Sequence, residues 1–564
     1  MLATFAAFTL ILARIATISA ERTPREIPWA DKTFGPDGPW RAIDAKVGQH
    51  RRDVNLFPGS DWETWLIEDD YCEKGTCYAS EAGTYGKSSG TTAGISWKAA
   101  LENYMRGVSL EGEGGTAYLD DLELGGITVT NASLAVLGTS VPQKLKYPGG
   151  QTAGFFAGCL SLGGRRETNQ SFSVGDDSPT INASLPSGWL WENEYTESYS
   201  FGMHIGSVQP ATRVPGSLWF GGYDQNRVVG DILSMNGGPR DGITLRDISI
   251  DVAGSKSPFE FRSKGGLLAE GNSSIGPSFK VLVDGCSPYL TLPESTCNNI
   301  ASHLPVNFSK DLGLYLWDTK SEKYKEIISS TSTLSFEFIS TSNTNPVKIR
   351  IPFMHLNLTL EAPLVDDPVP YFPCHVNGGD RWVLGRAFLQ DAFIGANMRR
   401  GVDTWWLAQA PGPNIQATAN PVTIGEKYTT VEKGGNDWNQ SWTGFWDDEQ
   451  APSSTPSSTA DTTDDGNKGE YEEEEEVGMT NAAKAGIGAG IAAAVIAIGV
   501  GAFIYWRRRR AQTQTQPAPE STIAHNMVQH YNDSKPHELP PRSPQELAGH
   551  GVYSQRSYQR FELP

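Results

Sequence analysis

Basic residues are the scarce component of this chain. Its 564 residues carry 46 Lys and Arg against 65 Asp and Glu, a formal net charge of −19. Nucleic-acid backbones are bound by clustered Lys and Arg, so this balance argues against a nucleic-acid partner. Part of the acidic excess is local, in Glu470 and residues 472–476, and reads as a solvated spacer. Cysteine is also sparse, and Cys72, Cys77, Cys159, Cys286, Cys297 and Cys374 do not fall into a zinc-site spacing. No phosphate-binding glycine loop or serine triad stands out either, so the sequence calls for no metal and no cofactor. Sustained helical periodicity is rare, while 60 glycines and 35 prolines favour turns and strands.

Long apolar runs are limited to two, and they set the expected topology. Residues 2–12 lead into Ala16-Thr-Ile-Ser-Ala20, the layout of a secretory signal peptide spanning 1–20. Residues 485–506 contain no charge and, at about 1.5 Å per helical residue, are long enough for a bilayer core of ~30 Å. Tyr505 and Trp506 suit the interface, and Arg507 to Arg510 make a cytoplasmic stop. The expectation is therefore a single-pass protein with its N-terminus outside, at the cell surface or in another membrane of the secretory pathway. Asn131, Asn169, Asn182, Asn272, Asn307, Asn357 and Asn439 each open an Asn-X-Ser/Thr triplet on the exported side, which predicts glycosylation. All six cysteines also fall there, where disulfides persist. Gly486-Ile-Gly-Ala-Gly490 and Gly499-Val-Gly501 give the expected helix a small-residue face that supports a weak homodimer.

Residues 27–411 read as short β-rich runs bounded by Gly, Pro, Asn and Ser, such as Gly126-Ile-Thr-Val-Thr130 and Phe279-Lys-Val-Leu-Val283. Many such runs predict an all-β body of more than one lobe. Residues 412–484 turn rich in Ser, Thr, Asp and Glu, which predicts a disordered stalk. The tail, 507–564, is polar and expected to be disordered as well.

Several stretches, in order, resemble the pepsin-like aspartic proteases, and especially a divergent fungal branch. Gly216-Ser-Leu-Trp-Phe-Gly-Gly-Tyr-Asp224 is similar to a conserved strand and turn of that family. Val281-Leu-Val-Asp-Gly-Cys-Ser-Pro-Tyr-Leu-Thr-Leu-Pro293 resembles its C-terminal catalytic strand. Trp382-Val-Leu-Gly-Arg-Ala-Phe-Leu389 resembles the strand that threads beneath that loop, and Gly158-Cys-Leu-Ser-Leu-Gly163 its N-lobe counterpart. The resemblance implies a bilobal pepsin-like fold, with an N-lobe of about 27–225 and a C-lobe of about 226–411. It also implies a cleft into which each lobe brings one aspartate. Two such carboxylates share a proton, one activating water and the other donating.

Asp284 supplies the C-lobe acid. Anchored on Trp65, the N-lobe register puts Pro58, in Pro58-Gly-Ser60, where the second aspartate belongs. Asp61 is the nearest replacement carboxylate. Gly285 and Cys286 replace the hydroxyl residue and glycine of the C-lobe loop, and no flap tyrosine can be assigned in 107–115, with Tyr104 out of register. The resemblance pairs Cys72 with Cys77 and Cys297 with Cys374. It leaves Cys159 and Cys286 lining the cleft with Ser287, either as buried thiols, as a bond between the lobes, or with Cys286 beside a histidine such as His204 or His375. The functional expectation is a membrane-anchored, glycosylated pseudoprotease holding a peptide or cell-wall ligand in its cleft. The alternatives are an active membrane-bound aspartic endopeptidase and a structural wall glycoprotein.

Overall fold

The alternation that marks a half-buried strand is plain at Gly115–Leu124, where Ala117, Leu119, Leu122 and Leu124 are buried. The odd-to-even switch between Leu119 and Leu122 coincides with a shift of register against Ile127–Leu137, so an inserted residue keeps both halves facing the core. The same device operates in Ile243–Val252, where Ile243 and Leu245 precede the shift and Ile248 and Ile250 follow it. The computed structural model describes residues 22–72, 78–86, 96–138, 143–173, 180–340, 345–376 and 381–446. The expected signal peptide, spanning helix and tail lie outside these residues, as does 447–484. Among the described residues no helix is long and apolar enough to cross a membrane.

The body is mostly β, as its sequence pattern predicts, and its sheets divide it in three. A ten-stranded sheet is built from strands between Trp29 and Ser184 and carries the N-lobe. An eight-stranded sheet and a four-stranded sheet, between Ile243 and Leu384, carry the C-lobe. Between them lies a six-stranded sheet that draws Arg25–Glu26, Ser200–His204, Ser217–Phe220 and Val229–Asn236 together with Ala392–Asn397 and Thr404–Gln409. The expected lobe boundary near residue 225 is thus a shared sheet, because the strands flanking it pair with the end of the C-lobe segment.

The two threading motifs act as expected. Gly158–Ser161 runs parallel to Arg52–Ser60, placing Cys159 beside Phe57 and Leu160 beside Pro58. Trp382–Leu384 runs parallel to Phe279–Val283, placing Leu384 beside Val283. Each lobe therefore delivers one loop, Pro58-Gly59-Ser60 or Asp284-Gly285-Cys286, to the middle of the molecule.

One boundary needs correction. Residues 412–446, expected to begin the stalk, fold onto the body. Pro421–Thr423 pairs with Gly222–Asp224, Ile424 is fully buried, and Trp438, Trp442 and Trp446 form one cluster. Trp442 and Trp446 stack at 5.2 Å, and the Trp442 ring lies 5.1 Å from that of His355. Burying each ring is worth roughly 2–3 kcal/mol, enough to order a segment whose other residues are polar.

Candidate functional site

The two loops meet through glycine. A Cβ on Gly59 would lie 2.6 Å from the Gly285 nitrogen, and one on Gly285 would collide with the Pro58 carbonyl. Any larger residue would force the lobes apart, which gives a physical reason for glycine at 285. The pairing sets the Pro58 carbonyl against Gly285, the residue that follows Asp284. Proline has no side-chain proton to exchange, so Pro58 and Asp284 cannot divide acid and base roles as two carboxylates do.

Asp284 is buried, and three donors hold its carboxylate. Arg240 Nη2 donates to Oδ2 at 2.9 Å, Ser287 Oγ to the same oxygen at 3.2 Å, and the Cys286 N–H to Oδ1 at 3.0 Å. Arg240 comes from the turn Pro239–Asp241, which leads from the central sheet into the C-lobe. Its guanidinium also donates to the Asn103 carbonyl at 3.0 Å and lies 3.8 Å from Asp61. Burial opposes the Arg240 charge, yet Asp284 and then Asp61 hold its pKa above the ordinary arginine value. Asp61 keeps a side-chain exposure of 33%. Loss of solvation pushes its pKa up to about 6, against the pull of Arg240 and Arg106. Arg240 thus binds both acids, and the position between them is taken by a cation.

A second arginine secures the loop from below. Arg386, in the threading motif, is buried and donates to the carbonyls of Gly285 at 3.2 Å and Cys286 at 2.7 Å. Its guanidinium lies 3.8 Å from the centre of the Phe57 ring, a cation–π contact from C-lobe to N-lobe.

Above the loops, the hairpin between Ser96–Ala99 and Gly115–Leu124 reaches across from the N-lobe. Its residues Arg106 and Gly107 rest on the C-lobe. Ser287 Oγ shares its one hydrogen between Asp284 and the Arg106 carbonyl, 2.6 Å away, and Thr291 Oγ1 donates to the Gly107 carbonyl at 2.8 Å. A Cβ on Gly107 would sit 2.7 Å from Val383. His375 also hydrogen-bonds the backbone of Gly107, and burial lowers its pKa to about 4, so its imidazole stays neutral. Tyr104 is buried beside Trp65, ring centres 5.6 Å apart, with its hydroxyl donating to the Ala157 carbonyl at 2.6 Å. No tyrosine is presented over the loops from the expected stretch; the one nearby is turned into the N-lobe core.

The cysteines resolve the alternatives left open. Cys159 and Cys286 are bonded to each other, joining the N-lobe threading strand to the C-lobe loop. With Cys286 in that bond, a Cys286–histidine pair is removed. Cys297 and Cys374 are bonded as the resemblance implied. Cys72 is disulfide-bonded, and Cys77 lies outside the described residues. Cys159, Cys286 and Ser287, which the resemblance places at the cleft, are all buried, beneath the bond and the hairpin. Of the sequon asparagines, Asn131, Asn182, Asn307 and Asn439 are exposed, and Asn169, Asn272 and Asn357 are half-buried. Sequence reasoning missed Arg240 and Arg386. Arg386 was visible directly after the threading glycine, whereas Arg240 sits in a turn with no motif.

Comparison with known proteins agrees with this architecture. The family profile described as "Eukaryotic aspartyl protease" matches residues 44–401. "Secreted aspartic protease 8" of Candida albicans is 24% identical over 287 residues, covering 49% of this chain and 63% of that protein. The chain therefore aligns with less than two thirds of the relative's length. The crystal structure of the aspartic proteinase from Irpex lacteus covers 69% of this chain and 97% of that one, at 14% identity and a TM-score of 0.42.

Proposed function

The chain belongs to the eukaryotic aspartyl protease family, and from that premise we propose that it is an exported, non-hydrolytic homologue, tethered by residues 485–506, whose two-lobed body serves binding and not cleavage. The observation that carries this reading is the Arg240 guanidinium, 2.9 Å from Asp284 and 3.8 Å from Asp61, with the Pro58 carbonyl against Gly285. A shared proton needs two carboxylates in direct contact. Here a permanent cation separates Asp284 from Asp61, and on this reading the disulfide and hairpin keep an extended peptide from the centre. A peptide or wall component would then be met on the outer rims of the lobes.

A second reading, an active endopeptidase using Asp284 with Asp61, draws on the raised Asp61 pKa of about 6. The two are separated by one assay. The purified exported body is incubated with denatured protein from about pH 3 to 7, the range in which paired carboxylates work. It is also passed over an immobilised statine-type transition-state mimic. No cleavage and no retention are expected. Cleavage that disappears in Asp284→Asn would establish the enzyme instead.

A further inference from the structure

Asn272 opens the triplet Asn272-Ser-Ser274 in the turn before Phe279–Val283, and it forms part of the wall of a cavity of about 620 Å³. The same wall carries Phe279, Glu294, Ser295, Asn298 and Trp382. We propose that this cavity is the seat of an N-linked glycan attached to Asn272 itself, with the inner sugar rings lying against Trp382 and Phe279. The inference stands apart from the question of hydrolysis.

The attachment point is already set. The Ser274 N–H donates to Asn272 Oδ1 at 3.0 Å, closing an Asx turn that holds the amide at the cavity edge. Asn272 Nδ2 donates to Ser295 Oγ at 2.8 Å. That nitrogen carries two hydrogens, so glycosylation leaves one for Ser295. In the transfer, Nδ2 bonds to the anomeric carbon of a lipid-linked oligosaccharide pyrophosphate. The pyrophosphate leaves, and the amide proton passes to a base.

The wall suits a sugar. Phe279 and Trp382 are half-buried, their ring centres 6.1 Å apart and their planes at 60°, which leaves aromatic surface facing the cavity. Pyranose rings present C–H faces to such surfaces and hydroxyls at their edges, and Glu294, Ser295 and Asn298 supply polar partners there. Because the sugar is tethered at the rim, docking has only a small entropy cost to overcome and the effective concentration is high. Asn131 and Asn182 provide the contrast, since both are exposed on strands and neither lines this cavity.

The test uses the full chain made in glycosylating eukaryotic cells and kept folded in mild detergent. Glycopeptide mass spectrometry follows release of each glycan by peptide N-glycosidase without denaturation. Release at Asn272 is expected to be about tenfold slower than at Asn131 and Asn182, the ratio given by a contact of ~1.4 kcal/mol. Trp382→Ala should bring the Asn272 rate up to theirs. An unmodified Asn272, equal rates at the three sites, or a rate unmoved by Trp382→Ala overturns the proposal. If Trp382→Ala does not accumulate, Phe279→Leu makes the same comparison with the same two outcomes.

Discussion

Arg240 carries a charge that a protein interior tolerates only when it is paired. Its partner, Asp284, is equally buried, so each ion is stabilised chiefly by the other and by the hydrogen bonds of Ser287 and the Cys286 N–H. Removing one member leaves a buried charge without compensation, whereas removing both can be nearly neutral. Arg240→Met should therefore lower the unfolding free energy by about 3 kcal/mol, with Asp284→Asn in the same chain recovering most of it. Urea unfolding of the two single variants and the double variant checks this. A double variant as unstable as the sum of the singles would mean that the pair is not coupled. Arg240 is not legible in the sequence, because a buried arginine in a Gly-Pro-Arg-Asp turn looks like any surface turn. The strand that carries Pro58 was legible, since Arg52–Ser60 runs beside the threading strand Gly158–Ser161.

At the scale of elements, the threading strands and the hairpin matter most. The Cys159–Cys286 bond closes a loop with a sequence separation of 127 and ties one threading strand to the opposite loop. Chain-entropy arguments value a cross-link of that length at about 5 kcal/mol. Cys159→Ser with Cys286→Ser is expected to lose stability of that order by urea unfolding, while Cys297–Cys374 still forms. A loss no larger than a conservative core change would show that the Gly59–Gly285 contact and Arg386 hold the lobes unaided. The elements themselves were largely readable, since each motif combined local strand pattern with turn residues. The bond was left open in sequence, because nothing local records that two cysteines so far apart converge. The segment 412–446 was misread for a related reason. Its average polarity hid three tryptophans at four-residue spacing, and those rings order it.

For the whole molecule, two buried histidines lie where separate parts join. His204, in the central sheet, hydrogen-bonds the Gln390 carbonyl at 2.7 Å, and burial lowers its pKa to about 3. His375 holds the hairpin from the other lobe, with a pKa of about 4. Both values lie below the unfolded value of 6.5. The folded state refuses protons that the unfolded chain accepts, so their contribution is complete above pH 6.5 and is lost as pH falls. For His375 at pH 5, this amounts to roughly 2 kcal/mol. Thermal melts from pH 7 to 4.5 should fall less steeply in His375→Gln than in the natural chain. Parallel curves would show that His375 titrates normally. Carboxylates with raised pKa values, such as Asp61, act in the opposite sense, but they are common to both proteins and cancel in the comparison.

The tryptophan cluster has a mechanical consequence. Among the described residues, tension along the chain from the C-terminal side reaches Trp446 first. It meets the stacked rings of Trp446 and Trp442, then Trp438, and only afterwards the three-residue strand Pro421–Thr423, which pairs with Gly222–Asp224 in a two-stranded sheet of its own. These contacts lie in series, so a pull can be yielded one ring at a time while the sheet shared by both lobes stays unloaded. With the tether proposed for residues 485–506, the segment 421–446 acts as a strain relief for the body.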